Sequence, residues 1–526
     1  MSRRVSVTVS VALWIMVCLA PAVRADVRLP GVFGEHMVLQ CETAVPVWGW
    51  ADPGEKVTVT LGDQSKEATA DADGRWSVKL AALAAGGPHV LKVQGKSTIE
   101  LGDVLVGEVW LCSGQSNMAM TVGGSLNKDA EIAAAEFPRI RVLAVVRKPA
   151  DAPQENCAGE WKVCSPRTVA GFSAAAYFFG RRLHQELGVP VGLIDSSWGG
   201  TPIQAWTSRK VQAAVPELAP IVENFEKAAA SYDPQAAQER YEKQLAAWQK
   251  AVAKAKAEGK RPAAKAKAEG KPAAPRKPPL PANPRLSPSS PGTLYNGMIA
   301  PLAPYALRGA IWYQGESNAG NAGLYGLQLK NMIVNWRNDW KEGDFAFLFV
   351  QLPNFMAAQK NPSETGGWPI LREQMLKTLA VPNTGMAVTI DVGEANDIHP
   401  KNKQDVGKRL AQWALATTYG KDIPPCGPLY KAMRKEGDKI VLEFKYADGG
   451  LAARDGGKLK GFAIAGEDKK FVWAEATIQG ETVVVSSPEV KSPAAVRYAW
   501  ANNPECNLAS KAGLPASPFR TDDWAE

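Results

Sequence analysis

From Asp103 onward, short runs that are apolar on both faces alternate with helical stretches, and this alternation restricts the possible folds more than any other feature of the chain. Asp103–Leu111 (DVLVGEVWL) is the first such run; Arg139–Val146, Val191–Ser197, Arg308–Gln314, Ala346–Leu352 and Met386–Val392 follow. A strand apolar on both faces needs cover on both, and the crossover helices of a parallel sheet supply it. Ser173–Leu187 has helical periodicity stopped by Gly188 and Pro190, and Lys403–Tyr419 reads as a further helix. The expected class is therefore α/β, built on a parallel sheet over 104–426.

The flanks are patterned differently. Residues 26–103 hold short alternating runs, Val45–Trp50, Lys56–Leu61 and Trp76–Leu80, separated by Asp-Pro-Gly, Gly-Asp and Asp-Gly turns. Residues 427–526 return to the same pattern at Lys439–Phe444, Phe462–Ala465, Thr482–Ser486 and Val496–Trp500. Both flanks read as small sandwich-like β domains, and Gly513–Arg520 as an ordered strap. An insert over 226–290 interrupts the α/β part: an alanine-rich helical stretch, the repeat Ala253–Lys260 and Ala264–Lys271, then a proline-rich tether.

A chain of 526 residues is too long for one core and implies about three domains. Residues 1–25 read as an export leader. Arg3 and Arg4 precede an apolar run from Val5 to Ala20, and Val23-Arg24-Ala25 offers a cut before Asp26. That run is short for a membrane span and no later one is long enough, so the mature chain is expected to be exported and soluble. The net charge of +8 does not point to nucleic acid. Residues 226–285 carry fourteen Lys/Arg against six Asp/Glu, and setting these and the leader arginines aside leaves −3. Six cysteines remain after the leader; Cys157 and Cys164 are close enough in sequence for one bridge, whereas Cys112 reads as a small core residue. No ligand spacing suggests a metal, and no phosphate-type glycine loop suggests an organic cofactor.

Polar residues with chemical capacity gather where the strands end. The first run breaks at Ser113-Gly114 and leads into Gln115-Ser116-Asn117-Met118, which puts the Ser116 hydroxyl at the carboxyl edge of the sheet, where open α/β proteins bind ligands. A serine nucleophile needs a base, and the chain has four histidines. His36 and His89 belong to the amino-terminal β region and His184 lies within a helix; His399 follows a strand in a polar loop, at the same edge as Ser116. The loops Trp198-Gly199-Gly200-Thr201 and Gly315-Glu316-Ser317-Asn318 add glycine N–H groups and the amides of Gln314 and Asn318, the donors an acyl-transfer oxyanion requires. Trp198, Trp206, Trp312 and Tyr313 lie near these loops and are candidates for stacking on a sugar ring, with Trp312 the one best read as core.

The combination GQSNM (114–118), SSWGGT (196–201), WYQGESN (312–318) and NDIHP (396–400) resembles the sialate O-acetylesterase family of SGNH-type hydrolases, near the acetylxylan esterases of carbohydrate esterase family six. The similarity extends to His36–Gln40 and Trp500–Pro504. It implies an SGNH, flavodoxin-like hydrolase domain that removes acetyl esters from sugar hydroxyls without a cofactor. Its substrate would be a sialoside or another acetylated glycan. Ser116 would be the nucleophile and His399 the base. The oxyanion hole would combine the N–H of Ser116, a glycine of the Gly199–Gly200 turn and an amide from Gln314 or Asn318, with Gln115, Asn117, Trp198 and Glu316 as substrate contacts. One departure stands out: the family pattern places an aspartate three residues before the histidine, where this chain has Asn396. Asp397 through an irregular loop, Glu394 or Asp391 from further away, or a dyad without a carboxylate are the alternatives. Two rival functions follow from the same residues: acetyl removal from xylan or another polysaccharide, and a non-catalytic sugar-binding protein, which Asn396 favours.

Overall fold

The computed structural model describes residues 26–257 and 283–524 except 448, with 275, 277, 278, 280 and 281 between them. The expected leader and most of the Ala/Lys repeat lie outside the described residues. No helix among the described residues is long and apolar enough to cross a membrane.

The centre is a sheet of seven strands: β1 (Thr98–Gly114), β2 (Ile140–Val145), β3 (Gly159–Val163), β4 (Val191–Ser197), β5 (Gly309–Tyr313), β6 (Ala346–Val350) and β7 (Thr384–Ala387). Its order is β7-β6-β5-β1-β4-β2-β3, parallel throughout except for the antiparallel edge strand β3. From β1 the chain places β2 to β4 on one side, with β4 next to β1, and then β5 to β7 on the other. The order thus reverses beside β1, and a reversal of this kind opens a crevice at the carboxyl ends of the strands. The crossover helices are α1 (Ala174–Leu187), α2 (Tyr325–Trp340) and α3 (Gly367–Thr378), and α4 (Lys403–Trp413) follows β7. Helix α1 packs on α4, and α2 on α3.

The last eleven residues of β1 are buried, as the two-faced apolar run requires. Glu108 lies among them. Although burial works against it, hydrogen bonds from Arg308 (2.7 and 2.9 Å) and Tyr419 (2.9 Å) hold its carboxyl below the usual range. Cys41 and Glu42 stand close enough to Glu108 to suggest a metal cluster, but Arg308 already supplies the cation there.

Three expectations change. The boundary at Asp103 falls inside the 17-residue strand β1, whose first half pairs with Gly86–Gln94 of the amino-terminal β region. One apolar cluster runs through both parts. The run Met386–Val392 is strand only as far as Ala387. Beyond it the Val392 N–H turns back to the Thr389 carbonyl, and Asp391 is drawn to Arg409 (2.5 and 2.7 Å) and Arg454. Cys157 and Cys164 are free and buried rather than bridged, because the five-residue strand β3 separates them. At strand rise that is about 16 Å, far beyond the Cα spacing a disulfide spans.

In the carboxyl-terminal region two four-stranded antiparallel sheets share an apolar cluster that includes Leu442, Phe462, Val485 and Tyr498. The 513–520 segment is largely a strap, with only Phe519–Arg520 pairing as a strand. The described part of the insert contains the helix Pro234–Ala257, and its roots are held together by Arg209 and Arg285 on Asp151 and Glu226.

Candidate active site

Strands β4, β1 and β5 end level with one another, since Gly114 is in register with both Ser197 and Tyr313. The three loops that follow therefore begin from one row. The Trp198 N–H donates to the Gly114 carbonyl (3.0 Å) and the Gln115 N–H to the Tyr313 carbonyl (3.0 Å), which ties them together. Ser116 opens a single helical turn, Ser116–Ala119. Gly199 lies directly over it: a Cβ on Gly199 would stand 3.3 Å from the Ser116 Cβ and 3.8 Å from its backbone nitrogen. Among the described residues neither the Ser116 nor the Gly199 N–H has a protein acceptor. Two residues whose N–H groups have no protein acceptor thus meet at Ser116, and such donors are what an oxyanion needs.

The loop after β7 places His399 Nε2 2.9 Å from Ser116 Oγ. Of the carboxylates weighed for the other ring nitrogen, Asp391 is spent on arginines and Glu394 accepts the Lys401 N–H at 3.1 Å. Asn396 is exposed. Asp397 stands beside the ring, with Oδ1 3.6 Å from Nδ1, but that same oxygen accepts the His399 backbone N–H at 2.9 Å. Both side chains are 42% exposed. The contact is longer than a hydrogen bond and partly solvated, so Asp397 orients the ring only weakly.

Several side chains expected to face a ligand are turned into the protein. Gln314 is fully buried, and its amide donates to the Thr201 carbonyl (3.2 Å) and Asn318 Oδ1 (2.7 Å). The Asn318 amide donates to Gln204 (3.1 Å) and Gln328 (3.4 Å). Neither offers a free N–H to an oxyanion. They brace the loop on which Thr201 and Ile203 sit. Asn117 is also fully buried: its amide donates to Glu316 Oε1 (2.5 Å) and the Ile398 carbonyl (3.0 Å) and accepts from Lys403, leaving nothing for a substrate. Glu316 gives one oxygen to Asn117, and its other oxygen is buried without a partner. Burial pushes the Glu316 carboxyl above its usual range against that hydrogen bond and the Lys403 charge. Gln115 is 3% exposed, and its Oε1 accepts the Ser317 N–H at 3.3 Å. Trp206, Trp312 and Tyr313 are fully buried and cannot stack on a sugar, so of the aromatic candidates only the half-buried Trp198 remains, next to the exposed Gly199 and Gly200.

Among the described residues two cations are fully buried, and neither is marked in the sequence. Lys403, the first residue of α4, donates to Asn117 Oδ1 and to the Pro400 carbonyl, both at 2.7 Å. Burial pushes its ammonium down to about 7, against the carboxylates of Glu316, Asp397 and Glu394. Arg372 is fully buried and donates to the carbonyls of Leu352, Pro353, Ala501 and Asn502, fastening Trp500–Pro504 to the loop after β6. A lysine at a helix start and an arginine within an amphipathic helix carry no sequence signal that separates a buried position from a solvated one.

Known proteins resemble this chain over nearly its whole length. Residues 106–259 and 286–416 match the family model described as a carbohydrate esterase, sialic acid-specific acetylesterase. The sialate O-acetylesterase of Rattus norvegicus is 30% identical over 94% of this chain and 94% of its own length. That of Homo sapiens is 30% identical over 94% and 92%. Among solved structures, a carbohydrate acetylesterase from Xanthomonas citri superposes with a TM-score of 0.79 at 36% identity, covering 95% of this chain and all of that one. The chain belongs to the sialic acid-specific acetylesterase family of carbohydrate esterases.

Proposed function

We propose that this chain is an exported carbohydrate O-acetylesterase in which Ser116 is the nucleophile and His399 the general base and acid. The observation that carries this reading is the 2.9 Å contact between His399 Nε2 and Ser116 Oγ beneath the unspent N–H groups of Ser116 and Gly199. Ser116 Oγ attacks the acetyl carbonyl carbon as its proton passes to Nε2. The oxyanion that forms is met by the two N–H groups. Nε2 then returns the proton to the departing sugar oxygen, leaving acetyl-Ser116. Water attacks this ester, giving its proton to Nε2, and acetate leaves as Ser116 is restored. Trp198 stacks on the sugar at the rim. No step needs a metal or organic cofactor. The leader is removed near Ala25, and the flanking β regions serve as sandwich-like supports for the catalytic part.

A sialoside is the substrate class the relatives' names favour, with xylan or another acetylated polysaccharide as the alternative. The test is acetate release from a 9-O-acetylated sialoside, acetylated xylan and an aryl acetate, each measured with the protein and its Ser116→Ala variant. Release from one natural substrate that disappears in Ser116→Ala is the expected result. No serine-dependent release from any of the three would leave a sugar-binding protein as the better reading.

The insert is expected to be a spacer outside the chemistry. Deleting Ala253 to Pro281, which leaves the ion pairs at its roots in place, should keep kcat/KM for an aryl acetate within about twofold, as for other surface insertions. A tenfold loss would assign the insert a part in the site.

A further inference from the structure

Lys403 occupies a position that is costly in two respects. Its side chain is fully buried, and it begins a helix, the end of the macrodipole that disfavours a cation. Nothing in the packing of α4 calls for a charge there, so what the ammonium touches becomes the question. It lies over the Tyr313 ring, 5.2 Å from the centroid, and donates to Asn117 Oδ1 and the Pro400 carbonyl at 2.7 Å each. The Asn117 amide in turn donates to the Ile398 carbonyl at 3.0 Å. The carbonyls immediately before and after His399 are therefore both gripped, one by Asn117 and the other by Lys403, and the two gripping side chains are bonded to each other. Asn117 is also the residue next to Ser116. A single buried cross-link thus fixes the base relative to the nucleophile. Glu316 anchors the far side by accepting the remaining Asn117 N–H at 2.5 Å.

We propose that Lys403 is a positioning residue that, with Asn117, clamps the backbone on either side of His399 and so holds the imidazole on Ser116. The proposal rests on the serine–histidine reading above. It also accounts for how the site works with so weak an orienting carboxylate. Asp397 is 3.6 Å from the ring and shares its oxygen with the backbone, so the ring direction comes mainly from the fixed peptides at 398 and 400.

The test replaces Lys403 by methionine, which fills a similar volume without a donor or a charge. On an aryl acetate kcat should fall about 30- to 100-fold, the scale of a misplacement near 1 Å, while KM stays within about twofold. The melting temperature should change little, because relief of a buried charge at a helix start offsets the two acceptors left unpaired. Lys403→Gln, which keeps a shorter donor, covers the case in which the methionine variant does not fold, and should show the same loss of kcat at unchanged KM. In a cycle with Asn117→Ala the double variant should be little worse than either single one, since the two residues act as a unit. A folded variant with kcat within threefold of the parent, a loss of kcat that only tracks a lower melting temperature, or failure of both lysine variants to fold would each overturn the clamp. Ser116→Ala measured alongside separates the two ideas. Serine-dependent release by the parent with an active Lys403→Met sinks the clamp alone, whereas no serine-dependent release by the parent sinks the catalytic reading and the clamp with it.

Discussion

Replacing His399 by alanine is expected to lower kcat for an aryl acetate by about 10^6-fold, with labelling of Ser116 by a fluorophosphonate lost in parallel. The size follows from geometry: Nε2 is 2.9 Å from the hydroxyl, and among the described residues no other base lies within hydrogen-bond distance of Ser116 Oγ. Asp397→Asn should be much milder, about 10- to 100-fold, whereas a buried triad aspartate costs on the order of 10^4 when made asparagine. The difference is physical. A carboxylate stabilises the imidazolium and sets its tautomer through a short, desolvated hydrogen bond, but Asp397 stands 3.6 Å from Nδ1 and is 42% exposed. Water screens much of its charge. Equal losses in the two variants would mean that the loop closes on Asp397 during turnover and completes a full triad. A His399→Ala variant that kept a tenth of the activity would remove histidine from the mechanism altogether.

The pairing of Ser116 with His399 is legible in the sequence because each of its steps is forced by few options. A buried strand breaks at a glycine before a serine, and of four histidines three sit in a β region or a helix. The strand ends Ser197 and Ala465 and the start of β4 at Val191 are legible for a similar reason, since apolar runs are bounded there by turn residues. What the sequence could not separate is the direction of polar side chains at a strand end. Gln314, Asn318 and Asn117 are amides beside a sheet edge whether they face a ligand or brace the loop behind it, and the structure turns all three inward. Each is surrounded by partners from loops more than a hundred residues away: Thr201 for Gln314, Gln204 for Asn318, Ile398 for Asn117. Local pattern carries no record of such neighbours. The early end of β7 has the same origin. Apolar residues continue to Val392, but Asp391 is captured by Arg409 and Arg454, and the chain leaves the sheet. The Cys157–Cys164 pair failed for a simpler reason: proximity in sequence becomes distance once the residues between them are extended.

A large effect on stability is expected at Gly114, two residues before Ser116. Its φ is +140°, which side-chain-bearing residues rarely adopt, and a Cβ there would stand 2.2 Å from the Tyr313 carbonyl oxygen and 2.7 Å from its carbon. The obstacle is the backbone of the neighbouring strand, which cannot rotate away as a side-chain end can. Gly114→Ala should therefore cost about 4 kcal/mol or more, the sum of left-handed strain and an overpacked sheet centre, and reduce the soluble yield. Gly200 is the matched control. It also has a positive φ, +75°, but no atom lies within 4 Å of its would-be Cβ. Gly200→Ala should lose only about 1 kcal/mol, the conformational share alone. Denaturation midpoints in urea for the two variants give the comparison, and the gap between them measures how tightly β1 and β5 are drawn together at Gly114. That closeness matters to the chemistry. The Gln115 N–H donates to the same Tyr313 carbonyl that a Cβ would strike, so the β1–β5 contact at Gly114 also fixes where the chain turns into Ser116. If the two variants were equally stable, the sheet would have room to open at this point, and the position of Ser116 would depend on its loop contacts instead of on the sheet.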